Sequence, residues 1–122
     1  MFETKIPRIG MVIEDHTASN PNPLRVRKGE AITPVEREDD FPGWVWCTAG
    51  GRESWTPVSC LQQQGDGFIA AYDYDATELT VTKGERLTVI GEESGWLLAT
   101  DDKGLTGWVP VEIVRWMDKG TA

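Results

Sequence analysis

The chain has 122 residues, 20 acidic and 12 basic, for a formal net charge of −8. That balance argues against nonspecific nucleic-acid binding, which needs Lys and Arg to displace phosphate counterions, and against attraction to anionic membrane surfaces; a cationic partner is the natural complement. Gly (13) and Pro (7) punctuate short apolar runs with no long helical periodicity, so the expected class is all-β.

No apolar stretch approaches bilayer-spanning length, and Met1-Phe2-Glu3-Thr4-Lys5 lacks the pattern of a signal peptide, so a cytoplasmic location is expected. Cys47 and Cys60 form no C-x-x-C pair and His16 is the only histidine, so neither a zinc site nor any cofactor is expected. Free thiols are the expectation for both cysteines.

The elements follow in chain order. Asn20-Pro21-Asn22-Pro23 is a stiffened loop, and His16 before it is expected on the surface of a strand. Leu24-Arg25-Val26-Arg27-Lys28-Gly29-Glu30 opens an L-x-V-x-K-G-E pattern. Glu36-Arg37-Glu38-Asp39-Asp40-Phe41 is an acidic loop beside the strand Gly43-Trp44-Val45-Trp46-Cys47. Gly51-Arg52-Glu53-Ser54-Trp55-Thr56-Pro57-Val58 follows, and then the polar, Gly-bearing segment around Gln63, Gln64, Gly65 and Asp66 reads as a linker.

All three blocks then recur in the same order: Leu79-Thr80-Val81-Thr82-Lys83-Gly84-Glu85, Gly95-Trp96-Leu97-Leu98-Ala99 and Gly104-Leu105-Thr106-Gly107-Trp108-Val109-Pro110-Val111. Blocks repeated at nearly constant offset mark a duplicated unit. Within the second copy, Leu79 and Val81 alternate with threonines as in a half-buried strand, and Lys83-Gly84-Glu85 is a turn. Leu87, Val89 and Ile90 form the next strand, and Glu92 to Gly95 is a loop. Trp96 to Thr100 is a strand, Asp101-Asp102-Lys103-Gly104 turns the chain, and Trp108-Val109 returns across the hairpin. Pro110 ends the ladder because it has no N–H to donate, and Ile113-Val114 closes the sheet. The expected architecture is two small five-stranded barrels in tandem: residues 8–62, a linker at 63–67, and residues 68–116.

The second copy resembles Src-homology-3 domains, with the look of the variant type found in bacterial proteins. Ala70-Ala71-Tyr72-Asp73-Tyr74 resembles the family's A-L-Y-D-Y and Glu78 to Glu85 its D-L-S-F-K-K-G-E. Trp96-Leu97-Leu98-Ala99 resembles W-W-L-A, and Gly107 to Val114 resembles G-Y-I-P-S-N-Y-V. The first copy matches through the repeat, with Val12-Ile13-Glu14-Asp15-His16 standing where A-L-Y-D-Y would be.

The resemblance implies a groove of aromatics that holds proline-rich, already extended segments, flanked by acidic loops that pair with a ligand Arg or Lys. Carried onto this sequence, the groove of the second barrel would use Tyr72, Tyr74, Trp96, Trp108 and Pro110, with Asp75, Glu78, Glu92 and Glu93 as the acidic side chains. The first barrel keeps only Trp44, Trp55 and Pro57, beside Glu38, Asp39 and Asp40. The loop after the tyrosines is shorter than usual, Glu112 and Ile113 replace the family's Asn and Tyr, and Cys60 replaces the last Tyr of the first copy. The second barrel, whose half is the more acidic, is therefore the expected ligand site.

Alternation puts Val45, Cys47, Leu97 and Ala99 inward, so Trp44 and Trp96 face out, where large aromatics mark a binding surface. No nucleophile–base pair or phosphate loop is visible, and no catalytic residue is expected. The expected function is a non-catalytic adaptor for basic or proline-containing protein segments. The alternative is an assembly module whose Trp surfaces seal barrel against barrel or copy against copy.

Overall fold

A computed structural model of the chain describes residues 3–38 and 41–117. Its twelve strands are β1 (Glu3–Val12), β2 (Arg25–Val26), β3 (Ala31–Pro34), β4 (Trp44–Ala49), β5 (Arg52–Pro57), β6 (Leu61–Gln64), β7 (Gly67–Ala70), β8 (Tyr74–Asp75), β9 (Arg86–Glu93), β10 (Trp96–Thr100), β11 (Thr106–Pro110) and β12 (Val114–Trp116). Short 3₁₀ turns at Val58–Cys60 and Val111–Ile113 precede β6 and β12. Among the described residues there is no α-helix, so the all-β expectation holds. No helix among them is long and apolar enough to cross a membrane.

The strands assort differently from their order in the chain. One five-stranded sheet runs β11-β10-β9-β1-β12, the other runs β5-β4-β3-β7-β6, and β2 pairs with β8. The chain accordingly divides into a unit of residues 1–19 with 78–122 and a unit of residues 20–77. We call these the split unit and the continuous unit. The serial boundaries expected from the repeat, 8–62 and 68–116, are not those of the compact units. Each copy has given its first strand to the other.

The reason lies in the segment read as a linker. Gln62, Gln63 and Gln64 pair with Ile69, Phe68 and Gly67, so residues 61–70 form a hairpin closed by Gly65 and Asp66. Gly65 takes φ +61, a left-handed conformation that glycine adopts without steric cost and that two-residue hairpin turns require. So tight a turn returns β7 onto β6, the last strand of the first copy, and β3 pairs with β7 on its other side. The corresponding place in the split unit is filled by β1, which pairs with β9 and with β12.

The polar contacts repeat the exchange. The Val12 N–H donates to the Glu85 carbonyl and the Gly84 N–H to the Val12 carbonyl; in the continuous unit Ala70 donates to Glu30 and Gly29 to Ala70. The Lys83 N–H donates to Asp15 Oδ1 at 2.7 Å, and the Lys28 N–H to Asp73 Oδ1 at 2.8 Å. Each Lys-Gly-Glu turn is thus capped by an aspartate from the other copy. Leu79 and Val81 are buried as expected, but single bridges rather than a ladder hold this stretch: Glu78 to Trp108 and Val81 to His16.

The split unit's core is Val12, Leu79, Val81, Leu87, Val89, Leu97, Ala99, Val109 and Ile113, in which Val12 is the contribution of the first copy. In the continuous unit Leu24, Val26, Ile32, Cys47 and Cys60 are buried, and so are Ala70, Tyr74 and Ala76 of the second copy. The loop before Leu24 is fastened rather than merely stiff. Asn20 Nδ2 donates to the Glu53 carbonyl and to Ser54 Oγ, and Asn22 Nδ2 donates to the Gly51 carbonyl.

Gly10 marks where β1 meets β12. A Cβ there would lie 2.5 Å from Val114 Cγ1, well inside van der Waals contact. Gly10→Ala is expected to destabilise the split unit by about 1–3 kcal/mol through overpacking. Urea titrations followed by NMR should show the Trp96 and Trp108 signals lost at lower urea with the Trp55 signal unmoved; an unchanged midpoint would contradict this placement of β1.

Candidate functional site

Two hairpins of matching register carry the tryptophans. In the continuous unit, β4 and β5 set Trp44 opposite Pro57 and Trp46 opposite Trp55. In the split unit, β10 and β11 set Trp96 opposite Pro110 and Leu98 opposite Trp108. Directly opposed residues share a face, so each hairpin sets its Trp and Pro on one side while its alternate residues turn into the core. Pro57, expected to line the groove, is nevertheless fully buried, whereas Pro110 is partly exposed. Cys47, Leu97 and Ala99 are buried as alternation predicts. Trp44 and Trp96 are half-buried, and Val45 is only partly covered.

The exchange of first strands redistributes the expected groove. Tyr72 and Tyr74 lie in the continuous unit with Trp44, Trp55 and Pro57, whereas Trp96, Trp108 and Pro110 lie in the split unit. The five-residue groove assigned to the second copy is therefore not assembled within one unit. Tyr74 is 4% exposed, and its hydroxyl donates to the Trp55 carbonyl at 2.9 Å. Burial, followed by its coulombic neighbours Cys60, Tyr72, Asp75 and Cys47, raises the Tyr74 phenol well above its ordinary value. Tyr72 is half-buried, with its hydroxyl 2.6 Å from Ser59 Oγ.

Trp55 is the centre of this face. Phe41 meets it edge-on at 4.9 Å between ring centroids and Trp46 edge-on at 5.4 Å. Trp46 Nε1 donates to Glu53 Oε1 at 3.1 Å. Trp46 shares the face with Trp44, as strand parity requires, and no family motif marks it.

The split unit offers a different surface. His16 stands in the place that Tyr74 fills in the continuous unit, edge-on to Trp96 at 6.1 Å and with Nε2 3.0 Å from Glu78 Oε1. It is therefore half-buried rather than a simple surface residue. Trp108 is 3% exposed, a core residue more than a groove wall. Ile113, at the position of the family's last tyrosine, is also buried in the core.

The acidic candidates are dispersed. Asp75 accepts from the Thr77 N–H and hydroxyl and lies 3.4 Å from Arg25 Nε in the continuous unit. Glu78 accepts from the Ser19 N–H and hydroxyl as well as facing His16 in the split unit. Glu92 and Glu93 close the β9–β10 hairpin beside Trp96, and Glu38 is exposed. Asp39 and Asp40 lie outside the described residues. The charge asymmetry between the two halves also disappears. The continuous unit holds nine acidic and five basic residues and the split unit eleven and seven, so each carries −4. Among the described residues no group of side chains is arranged to hold a metal ion.

The variant SH3 domain family matches the chain twice, over residues 9–69 and again over residues 70–115. The chain is a tandem of SH3 domains. The boundary between the two SH3 matches falls at β7, so the matches follow the copies in the sequence and not the compact units. The SH3 chain is also 34% identical over 56 residues to the human guanine nucleotide exchange factor DBS. That segment is 46% of this chain and 5% of the relative's own length, so the likeness concerns one small piece of the larger protein. As SH3 domains, the two units are protein-interaction modules.

Proposed function

We propose that this tandem is a non-catalytic adaptor whose principal ligand site is the aromatic face of the continuous unit, and that the site takes extended, basic, proline-containing segments. The observation that supports this is that the half-buried rings of Trp44, Trp55 and Tyr72 fall in one unit, with Tyr74 and Pro57 buried beneath them and the Tyr74 hydroxyl held by the Trp55 carbonyl. The exchange adds Tyr72 and Tyr74 to the tryptophans of the first copy, which has no tyrosine of its own, and leaves His16 and Ile113 where the split unit would need them. Since each unit carries −4, aromatic content rather than net charge favours the continuous unit. Apolar ligand residues would lie on the Trp and Tyr faces, with acidic loops setting a preference worth only about 0–1 kcal/mol per exposed pair. Exchange activity of the kind named for the human relative is not part of this reading. Two free, buried cysteines suit a reducing, cytoplasmic setting.

The test is an NMR titration of the full chain with an arginine-bearing proline-rich peptide. Shifts are expected at the indoles of Trp44 and Trp55. Trp44→Ala, if it keeps native amide dispersion, should weaken binding by about 2 kcal/mol, roughly thirtyfold, as truncating a central aromatic does. Shifts centred on Trp96, or none with any such peptide, would remove the continuous unit as the ligand site.

A further inference from the structure

We infer that Trp46 and Trp55 form a guanidinium subsite beside the groove, held in the free protein by the chain's own Arg37, so that an arginine of the ligand binds there by displacing it. This rests on the peptide-binding reading above and names the residue class recognised at its edge.

The site is built from three elements. Trp46 and Trp55 oppose each other across β4 and β5 and meet edge-on at 81°. The Glu53 carboxylate, anchored by the Trp46 Nε1–H, puts a negative group at the rim of the indole pair. Arg37 then places its guanidinium carbon 4.2 Å from the Trp46 ring centroid and 5.3 Å from that of Trp55. Both distances lie within the range at which a cation is attracted to a ring face. The indole pair therefore already carries a guanidinium in the free protein. Arg37 is exposed and lies in the loop between β3 and β4, flanked by Glu36 and Glu38. A ligand arginine brought by a docked segment would meet the same two rings and the same carboxylate. The split unit has no counterpart, because Leu98 stands opposite Trp108 where Trp46 stands opposite Trp55.

An internal cation on the subsite competes with an external one, so removing it should strengthen binding of arginine ligands only. The experiment compares the full native chain with Arg37→Ala. The probes are a proline-rich peptide carrying one arginine and the same peptide with citrulline in its place, which keeps the shape and removes the charge. Arg37→Ala is expected to bind the arginine peptide about two- to fivefold more tightly, the range of an exposed cation–ring contact, and the citrulline peptide unchanged. Equal affinities of the two proteins for the arginine peptide would overturn the inference, as would equal tightening toward both peptides.

If neither peptide binds either protein, the groove reading fails, and the subsite is tested separately with N-acetyl-arginine amide. Shifts of the Trp46 and Trp55 indoles at lower concentration in Arg37→Ala than in the native chain would sustain the subsite. An identical response in the two proteins, or no response in either, would overturn it. Arg37 is exposed and outside the core, so its removal is not expected to unfold the unit, and retained amide dispersion checks this directly.

Discussion

A chain lacking residues 1–12 is expected to lose the split unit and keep the continuous one. β1 lies between β9 and β12, so its removal opens that sheet in the middle, strands β12 and takes Val12 out of the core. The expected spectrum has collapsed signals for Trp96, Trp108 and Trp116 with native dispersion at Trp44, Trp46 and Trp55. Calorimetry should lose one of two transitions. Two barrels in series would give the opposite result, because the deletion would then cut into residues 8–62 and leave 68–116 whole. Loss of the Trp44 and Trp55 signals with Trp96 intact would show that the first strands are not exchanged. The same logic makes residues 20–77 the piece expected to fold alone, since both of its new ends lie at the unit boundary. A piece beginning at residue 66 would carry β7 without its partners β3 and β6 and would lack β1.

Alkaline pH is expected to unfold the continuous unit selectively. Both cysteines and both tyrosines of the sequence fall within residues 20–77. Burial pushes the Cys47 thiol up from 9.0 to about 11, against a hydrogen bond from Thr56 that lowers it. Burial also raises the Cys60 thiol and the Tyr74 phenol. Each group is harder to deprotonate in the folded state than in the unfolded one. Their contribution is therefore fully present below pH 9.0 and is lost as the pH rises through the folded values, beginning in the window from 9.0 to about 11. Cys47 alone accounts for about 2–3 kcal/mol across its shift. Urea melts at rising pH should show the Trp55 midpoint falling above pH 9.0 while Trp96 and Trp108 hold; parallel decline in both units would refute the assignment. The same burial should keep both thiols unreactive toward a disulfide reagent at neutral pH, and denaturation without reductant should release two. Zero after denaturation would mean a disulfide.

The difference between the SH3 matches and the compact units bears on how function divides. The ligand site proposed on Trp44, Trp55 and Tyr72 would draw residues from both copies, because the unit that holds them does. Substitutions in the second copy, at Tyr72 or Asp73, act on the continuous unit. Those at Asp15 or His16 act on the split unit.

Much of this was legible in the residues themselves. Alternation around Trp44 and Trp96 placed Cys47, Leu97 and Ala99 inward, the Lys-Gly-Glu turns appeared in both copies, and Pro110 closes its ladder at the predicted place. These features are local: a strand's inward parity and a turn's geometry depend on neighbours a few residues away. Gly65-Asp66 was also present to be read as a two-residue hairpin turn, but its polar, glutamine-rich flank resembled a linker. Whether a short apolar strand pairs with the strand before it or the strands after it depends on contacts distant in the chain. Two equivalent copies offer each first strand two nearly equivalent partners, and local sequence does not choose between them. The tight turn at Gly65 makes the choice by holding β7 against β6, and β1 takes the place left beside β9 and β12. The tandem SH3 character, the strands and their inward faces thus belonged to the sequence alone. Which tyrosines accompany which tryptophans, the burial of Tyr74 and Trp108, and the seating of Arg37 on Trp46 and Trp55 were decided by tertiary pairing, because each joins residues that only the exchanged strands or the loop between β3 and β4 bring together.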